Sequence, residues 1–287
     1  MLAIFNKELK AYFYSASGYV FMGVFLLICG IFFASYNLLG GSPDYSSVLS
    51  RIIFIFLILV PVITMKLIAE EKHQKTDQLL LTSPLSVGDI VIGKYLASFS
   101  LFLITLAVTI FYPLILTQFG EIPAGQITAT YIGFALMGGA LIAIGVFVSS
   151  LTENQVIAAV GTIGILLLVW FTDWIQQGLP SGTTSGIVFA GILVLGIALV
   201  IYFSTRNIII PSAVAIIGVA CIAVLAIKKL TLFEGFLPKF FGWFSLLSRF
   251  DNFSMGILDV TSIVYYITFI IAFVYLTIQM IEKRRWS

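Results

Sequence analysis

Eight long apolar runs, with nearly every charge pushed into the gaps between them, constrain this chain more than any other feature. They lie at roughly 18–39, 52–69, 95–117, 127–149, 156–175, 185–203, 208–227 and 261–281. About 18 apolar residues in a helix are enough to cross a hydrocarbon core of ~30 Å. The period-two alternation of a membrane barrel is absent, so each span must satisfy its backbone hydrogen bonds as a helix. Composition agrees: 60% of residues are hydrophobic and 10% charged, where a soluble domain carries about 25% charged residues. The expected fold is an all-α polytopic membrane protein, with a single transmembrane domain over 1–287.

The ends set the orientation. Over 1–17, Leu2, Phe5, Leu9, Tyr12 and Phe13 recur at helical spacing, while Asn6, Lys7, Glu8 and Lys10 fall largely on the other side. That pattern predicts a helix lying in the membrane interface. The run from Gly18 to Leu39 is longer than a signal-peptide core and lacks a small-x-small cleavage site, which predicts a retained span. In the second span Pro61 introduces a kink and Lys66 must snorkel to the surface. With the N-terminus inside, Lys7, Lys10, Lys66, Lys72, Lys75, Lys94, Arg206, Lys283, Arg284 and Arg285 are cytoplasmic. Only Arg51, Lys228, Lys229, Lys239 and Arg249 then lie outside. This bias places both termini in the cytoplasm.

Several chemistries are excluded. Fifteen basic against 13 acidic residues is too even a balance for nucleic-acid binding. Cys29 and Cys221 both sit inside apolar runs and read as packing residues. The one histidine, His73, lies between spans, so no serine–histidine dyad is available at membrane depth, and no His-Glu-x-x-His metal motif occurs. Asp173, Asp251 and Asp259 fall near the outer boundary, where they read as helix caps or solvated ends. No phosphate-binding loop is present. The span centres hold essentially no ionisable residue, which speaks against an ion-coupled carrier. The chain is therefore expected not to be an enzyme and to bind no metal or cofactor. A membrane pathway powered from elsewhere fits this pattern.

The informative motif is the charged stretch 70–94. It reads Glu70-Glu71-Lys72-His73-Gln74-Lys75-Thr76-Asp77-Gln78-Leu79-Leu80-Leu81-Thr82-Ser83-Pro84-Leu85-Ser86, then Asp89-Ile90-Val91-Ile92-Gly93-Lys94. Glutamates at a span end, an apolar knob at Leu79 to Leu81 and a helix stop at Pro84 suit a helix-in-groove contact. This stretch resembles the first cytoplasmic loop of ABC-2 type transporter permeases, in particular the type V-like branch of gliding-motility and nitrous-oxide-maturation permeases. Those proteins carry Glu-Glu, Gly-Thr, Leu-Leu, Pro and Gly-Lys in this order after the second span; here Lys75 stands where many relatives have Gly. The resemblance implies a coupling helix that docks on a separate ATPase subunit, with Glu70, Glu71, Thr76, Leu79, Leu80, Pro84, Gly93 and Lys94 carrying the contact.

A second stretch, Phe244-Ser245-Leu246-Leu247-Ser248-Arg249-Phe250-Asp251-Asn252-Phe253-Ser254-Met255-Gly256-Ile257-Leu258-Asp259, looks like the end of the same permeases. There an outer segment, here the aromatic 228–260, forms short re-entrant helices before the last span. The resemblance implies that Phe250, Asp251, Phe253 and Gly256 shape an outer gate. Many relatives have six spans, so 185–227 is expected to be an extra helical pair. Ala135, Gly139 and Ala143 form a small-residue stripe expected to pack within the subunit. Glu153 and Asn154 read equally as a shorter second coupling contact or as a polar turn. The resemblance as a whole implies a permease subunit of an ATP-driven exporter in the plasma membrane of a bacterium. Its pathway would form with a second copy or a paralogue among membrane lipid, and ATP and magnesium would be used by the partner ATPase. The rival readings are an ion-coupled secondary carrier and a non-transport membrane scaffold.

Overall fold

The computed structural model describes residues 1–77, 85–205, 209–228 and 230–285, and all regular structure among them is helical. Among the described residues eight helical stretches are long and apolar enough to cross a membrane: Ala16–Leu39, Ser46–His73, Val87–Leu116, Ala124–Leu151, Gln155–Gln176, Thr183–Phe203, Ile209–Lys228 and Val260–Arg284. The first follows α1 (Leu2–Tyr14) and comprises α2 (Ala16–Phe32), which passes into a π-helical end at Phe33–Leu39. The second is built in pieces: α3 (Ser46–Arg51), a 3₁₀ turn at Ile52–Ile55, α4 (Phe56–Thr64) and α5 (Ala69–His73). The remaining helices are α6 (Val87–Val108), α7 (Phe111–Leu116), α8 (Ala124–Leu151), α9 (Gln155–Gly178), α10 (Thr183–Thr205), α11 (Ile209–Lys228), α12 (Phe236–Phe244), α13 (Leu247–Ser254) and α14 (Val260–Arg285).

Two boundaries differ from the sequence reading. The second span runs from Ser46 rather than 52. The third begins at Val87, so Asp89, Gly93 and Lys94 belong to a helix and not to a loop. The cause is local: the Ser86 hydroxyl accepts the Asp89 N–H at 3.0 Å and donates to the Asp89 carboxylate at 2.7 Å, a reciprocal N-terminal cap.

The chain divides into two compact units, Met1–Leu168 with Leu246–Ser287, and Val169–Ser245. In the first unit α8 is the axle: 78% of an 18-residue apolar stretch within it is buried, and it packs against α14, α13, α4 and α6. Its glycines are the seats of neighbouring side chains. A β-carbon on Gly133 would fall 2.5 Å from Phe253, and one on Gly138 2.5 Å from the Phe102 ring. Phe102 joins a ring cluster around Phe134 at 6.1 Å, with Phe56 4.9 Å and Phe250 6.1 Å from Phe134, while Phe253 meets Tyr266 at 6.4 Å. Lipid tails are as apolar as phenylalanine, so this interlock stabilises through contact rather than through removal from water. In the expected small-residue stripe, Gly139 accepts the Tyr95 hydroxyl at its carbonyl (3.2 Å) and Ala143 is fully buried, so those positions pack internally.

In the second unit α10 and α11 form a hairpin closed by Gly218, where a β-carbon would lie 2.5 Å from Val194. Phe189 on α10 meets Phe240 of α12 at 5.1 Å and Phe241 at 6.0 Å. The Ser245 hydroxyl donates to the Asp173 carboxylate. The helical pair expected over 185–227 lies in this unit.

Candidate functional site

The second span is interrupted just before its charged end. Pro61 has no N–H to donate, and the turn Met65–Ile68 separates α4 from α5. Such a break frees backbone groups that would be costly to leave without partners. Side chains from three other helices satisfy them. Leu67 turns its N–H to the Thr64 carbonyl (3.2 Å), which leaves the Ile63 carbonyl for the Tyr12 hydroxyl of α1 at 2.6 Å. Lys94 of α6 donates to the Leu67 carbonyl at 2.8 Å. Ser149 of α8 accepts the N–H groups of Ile68 (3.2 Å) and Ala69 (3.1 Å) and donates to the Met65 carbonyl (3.2 Å). The Ser150 carbonyl, at the C-terminal end of α8, accepts the Lys72 ammonium.

Lys94 is 2% exposed, and its ammonium also contacts Glu71 at 2.8 Å and Glu8 at 3.1 Å. Lys7 reaches the same two carboxylates at 3.3 Å and 3.6 Å. Burial works against the Lys7 ammonium, but Glu8 and Glu71 outweigh it and hold its pKa above the ordinary lysine value. Burial, reinforced by Glu8, likewise keeps the Tyr12 phenol protonated. Beside this cluster opens a cavity of about 430 Å³, whose lining includes Ser15, Ser17, Lys66, Glu70, Gln74 and Thr76.

The α1 face needs correction. Glu8, expected on the polar side, turns inward between buried Ile4 and Tyr12, while Leu2 from the expected apolar face is 72% exposed. The reason is Lys94: an ammonium brought this deep is costly unless it meets carboxylates. Gly93 permits the approach, since a β-carbon there would lie 3.1 Å from Ile4.

The structure brings Glu71, Gly93 and Lys94 together, with Glu70 at the rim, where the Gln74 amide donates to it at 3.2 Å. Lys75 adopts φ +56°, the one non-glycine residue with positive φ among those described, and Thr76 then returns its N–H to the Glu71 carbonyl at 2.9 Å. The turn thus forms without the glycine many relatives carry. Leu79, Leu80 and Pro84 lie outside the described residues. At the same end of the bundle Arg284 pairs with Glu153, and the Asn154 carboxamide caps α9 by accepting the Val156 N–H at 2.8 Å.

The other end of the first unit holds the expected gate residues. Phe250 and Phe253 are fully buried, Phe250 in the ring cluster around Phe134, and Asp251 is exposed. Gly256 has φ +85°, with Gln126 so close that a β-carbon would meet it at 3.2 Å. Thr130 and Gln126 of α8 donate to the carbonyls of Phe253 (3.1 Å) and Ser254 (2.7 Å), fixing α13. Hydrogen bonds from the Ser262 hydroxyl and then the Thr261 N–H hold the Asp259 carboxyl below its usual range, so Asp259 caps α14.

Sequence reasoning placed Tyr12 only on the apolar face of the N-terminal helix, and singled out neither Ser149 or Ser150 nor the pairing of Glu8 with Lys94. The one available signal was the Pro61 to Lys66 interruption, which demands outside partners without naming them.

A search of curated proteins finds no match. A family model described as ABC-2 family transporter protein matches residues 33–189, from the π-helical end of the first span into α10. This stretch is more than half of the chain and contains the broken span, the charged segment and α8. The chain belongs to the ABC-2 transporter family and is a membrane permease component of an ABC transporter.

Proposed function

We propose that this permease is coupled to a separate ABC ATPase through the segment 70–94 and works as an exporter in a bacterial plasma membrane. Two permease subunits, identical or paralogous, enclose the pathway. Glu70, Thr76, Leu79, Leu80 and Pro84 form the docking surface. Glu71, Gly93 and Lys94 hold its base. ATP with magnesium closes the partner's dimer, the docked segments move, and inner and outer access exchange. The outer gate is shaped by the segment carrying Phe250, Asp251, Phe253 and Gly256. Because the two phenylalanines are buried within one unit, they act by setting the position of α13 rather than by lining a pore.

The observation that carries the reading is the convergence of α1, α5, the first turns of α6, Glu153 and Arg284 at one end of the first unit. There the Met1 ammonium lies 3.6 Å from Asp89. The test is gentle detergent purification from the native host with mass spectrometry of what accompanies the protein. A stoichiometric ABC ATPase, lost in the double variant Leu79→Asp, Leu80→Asp while the permease stays folded, is expected. Retention of the ATPase by that variant refutes the docking surface, and recovery of the permease alone refutes the coupling.

A further inference from the structure

The segment 70–94 is joined to itself at its base. The chain leaves the broken span at Glu71 and has re-entered the bundle by Lys94, and these two residues are linked at 2.8 Å. The Lys94 ammonium has three N–H donors, and three acceptors surround it: Glu71, Glu8 at 3.1 Å and the Leu67 carbonyl at 2.8 Å. Glu8 and Lys7 belong to α1, so the same cluster that closes the segment also fastens the N-terminal helix to it. Two lysines and two glutamates balance in formal charge. Lys94 is 2% exposed, Glu8 14% and Glu71 18%.

We propose that Glu8, Glu71 and Lys94 are positioning residues that make α1 and both ends of the coupling segment move as one piece when the docked ATPase changes state. The proposal rests on the docking reading above and adds its output, the N-terminal helix. The physical ground is the cost of the alternative. For the segment to swing while α1 stays behind, the Glu8–Lys94 contact must open, and the buried Lys94 ammonium loses one of the three acceptors around it. A buried donor left without its acceptor is costly, whereas carrying α1 along keeps every one of these contacts. Gly93, which seats Ile4 against α6 one residue before Lys94, adds an apolar contact that travels with the same piece.

The test uses the full-length permease in complex with its ATPase, comparing hydrogen–deuterium exchange with Mg-ADP and with a non-hydrolysable ATP analogue. In the wild-type complex, nucleotide-dependent changes are expected both at Ala69–His73 and at Leu2–Tyr14. Glu8→Gln removes the charge of the α1 arm, which weakens its hold on Lys94, but keeps the Lys94–Glu71 link. It should retain the change at Ala69–His73 and lose it at Leu2–Tyr14, and Glu8→Asp, which restores a carboxylate, should recover it at least in part. A purely structural role for Glu8 would alter exchange of α1 equally in both nucleotide states. An α1 that does not respond in the wild-type complex overturns the proposal, as does a Glu8→Gln complex whose α1 responds like wild type. The wild-type arm decides even if the variant does not accumulate. Failure of the ATPase to bind the wild-type permease is a separate result that overturns the docking reading and this one with it.

Discussion

Replacing Ser149 with alanine should destabilise this protein far more than the same change at its neighbour Ser150, although both are fully buried serines at the end of one helix. The Ser149 hydroxyl serves three backbone groups of the broken span, the N–H of Ile68, the N–H of Ala69 and the carbonyl of Met65. A buried donor or acceptor left without a partner costs about 1–3 kcal/mol. The three bonds are 3.1–3.2 Å long and two of them share one oxygen, which places each loss at the low end, so about 2–3 kcal/mol is expected in total. The Ser150 hydroxyl only returns to the Phe147 carbonyl of its own helix at 2.6 Å. The contact of Ser150 that ties two elements together is its carbonyl to Lys72, which alanine keeps. Loss of the Ser150 hydroxyl should cost about 0.5–1 kcal/mol, the net value of one local hydrogen bond. Unfolding by sodium dodecyl sulfate in mixed micelles, followed by tryptophan fluorescence, measures both variants in one host. If the two alanine variants agree within about 0.5 kcal/mol, the assignment of the broken span to Ser149 is wrong.

Three further outcomes follow from the same geometry. Gly138→Leu, which drives a side chain into Phe102, should lose at least about 1–3 kcal/mol or fail to fold, whereas Gly164→Leu meets nothing within 4 Å and should be tolerated; thermal unfolding of the two proteins in detergent separates them. Lys75→Val should destabilise the turn by about 1–2 kcal/mol relative to Lys75→Gly, because a branched side chain is ill suited to positive φ, and limited proteolysis within 70–77 reads the difference. The raised pKa of Lys7 means that its pairing with Glu8 and Glu71 stabilises fully below the ordinary lysine value of 10.5 and is lost only as the pH climbs through the raised one. A spin label at Ala3 in a Cys221→Ser background should therefore keep its mobility through neutral and mildly alkaline pH and loosen only above that value; loosening near pH 8 would contradict the pairing.

The spans were legible because each is a local property of composition, and eight runs became eight helices. The start of the third span was missed by eight residues: the charged character of 87–94 reads as loop when only hydropathy is weighed, and the capping pair Ser86 and Asp89 outweighs it. Glu8 was misplaced for a different reason. A helical-face reading assigns charges to water, and only a partner 86 residues away, Lys94, makes the inward orientation favourable. Ser149 and Ser150 are indistinguishable in the sequence, since which of them meets the broken span depends on the rotation of α8 about its axis. The phenylalanines at 250 and 253 show the same limit. An aromatic stretch between spans reads as surface, and Gly133 and Phe134, more than a hundred residues earlier, receive Phe253 and Phe250 inside.

The broken second span also carries a consequence for how the chain is made. Tyr12 precedes the break and emerges before it, but Ser149 lies 81 residues beyond Ile68. At ribosomal rates of about 5–20 residues per second, roughly 4–16 s pass before it is synthesised. During that interval the amides of Ile68 and Ala69 have no partner from α8, and hydrocarbon offers none. They are satisfied only where water or lipid headgroups reach them, so the nascent second span must wait with its charged end at the bilayer surface. Their protein partner arrives only with the fourth span, so this end of the second span is completed once α8 docks.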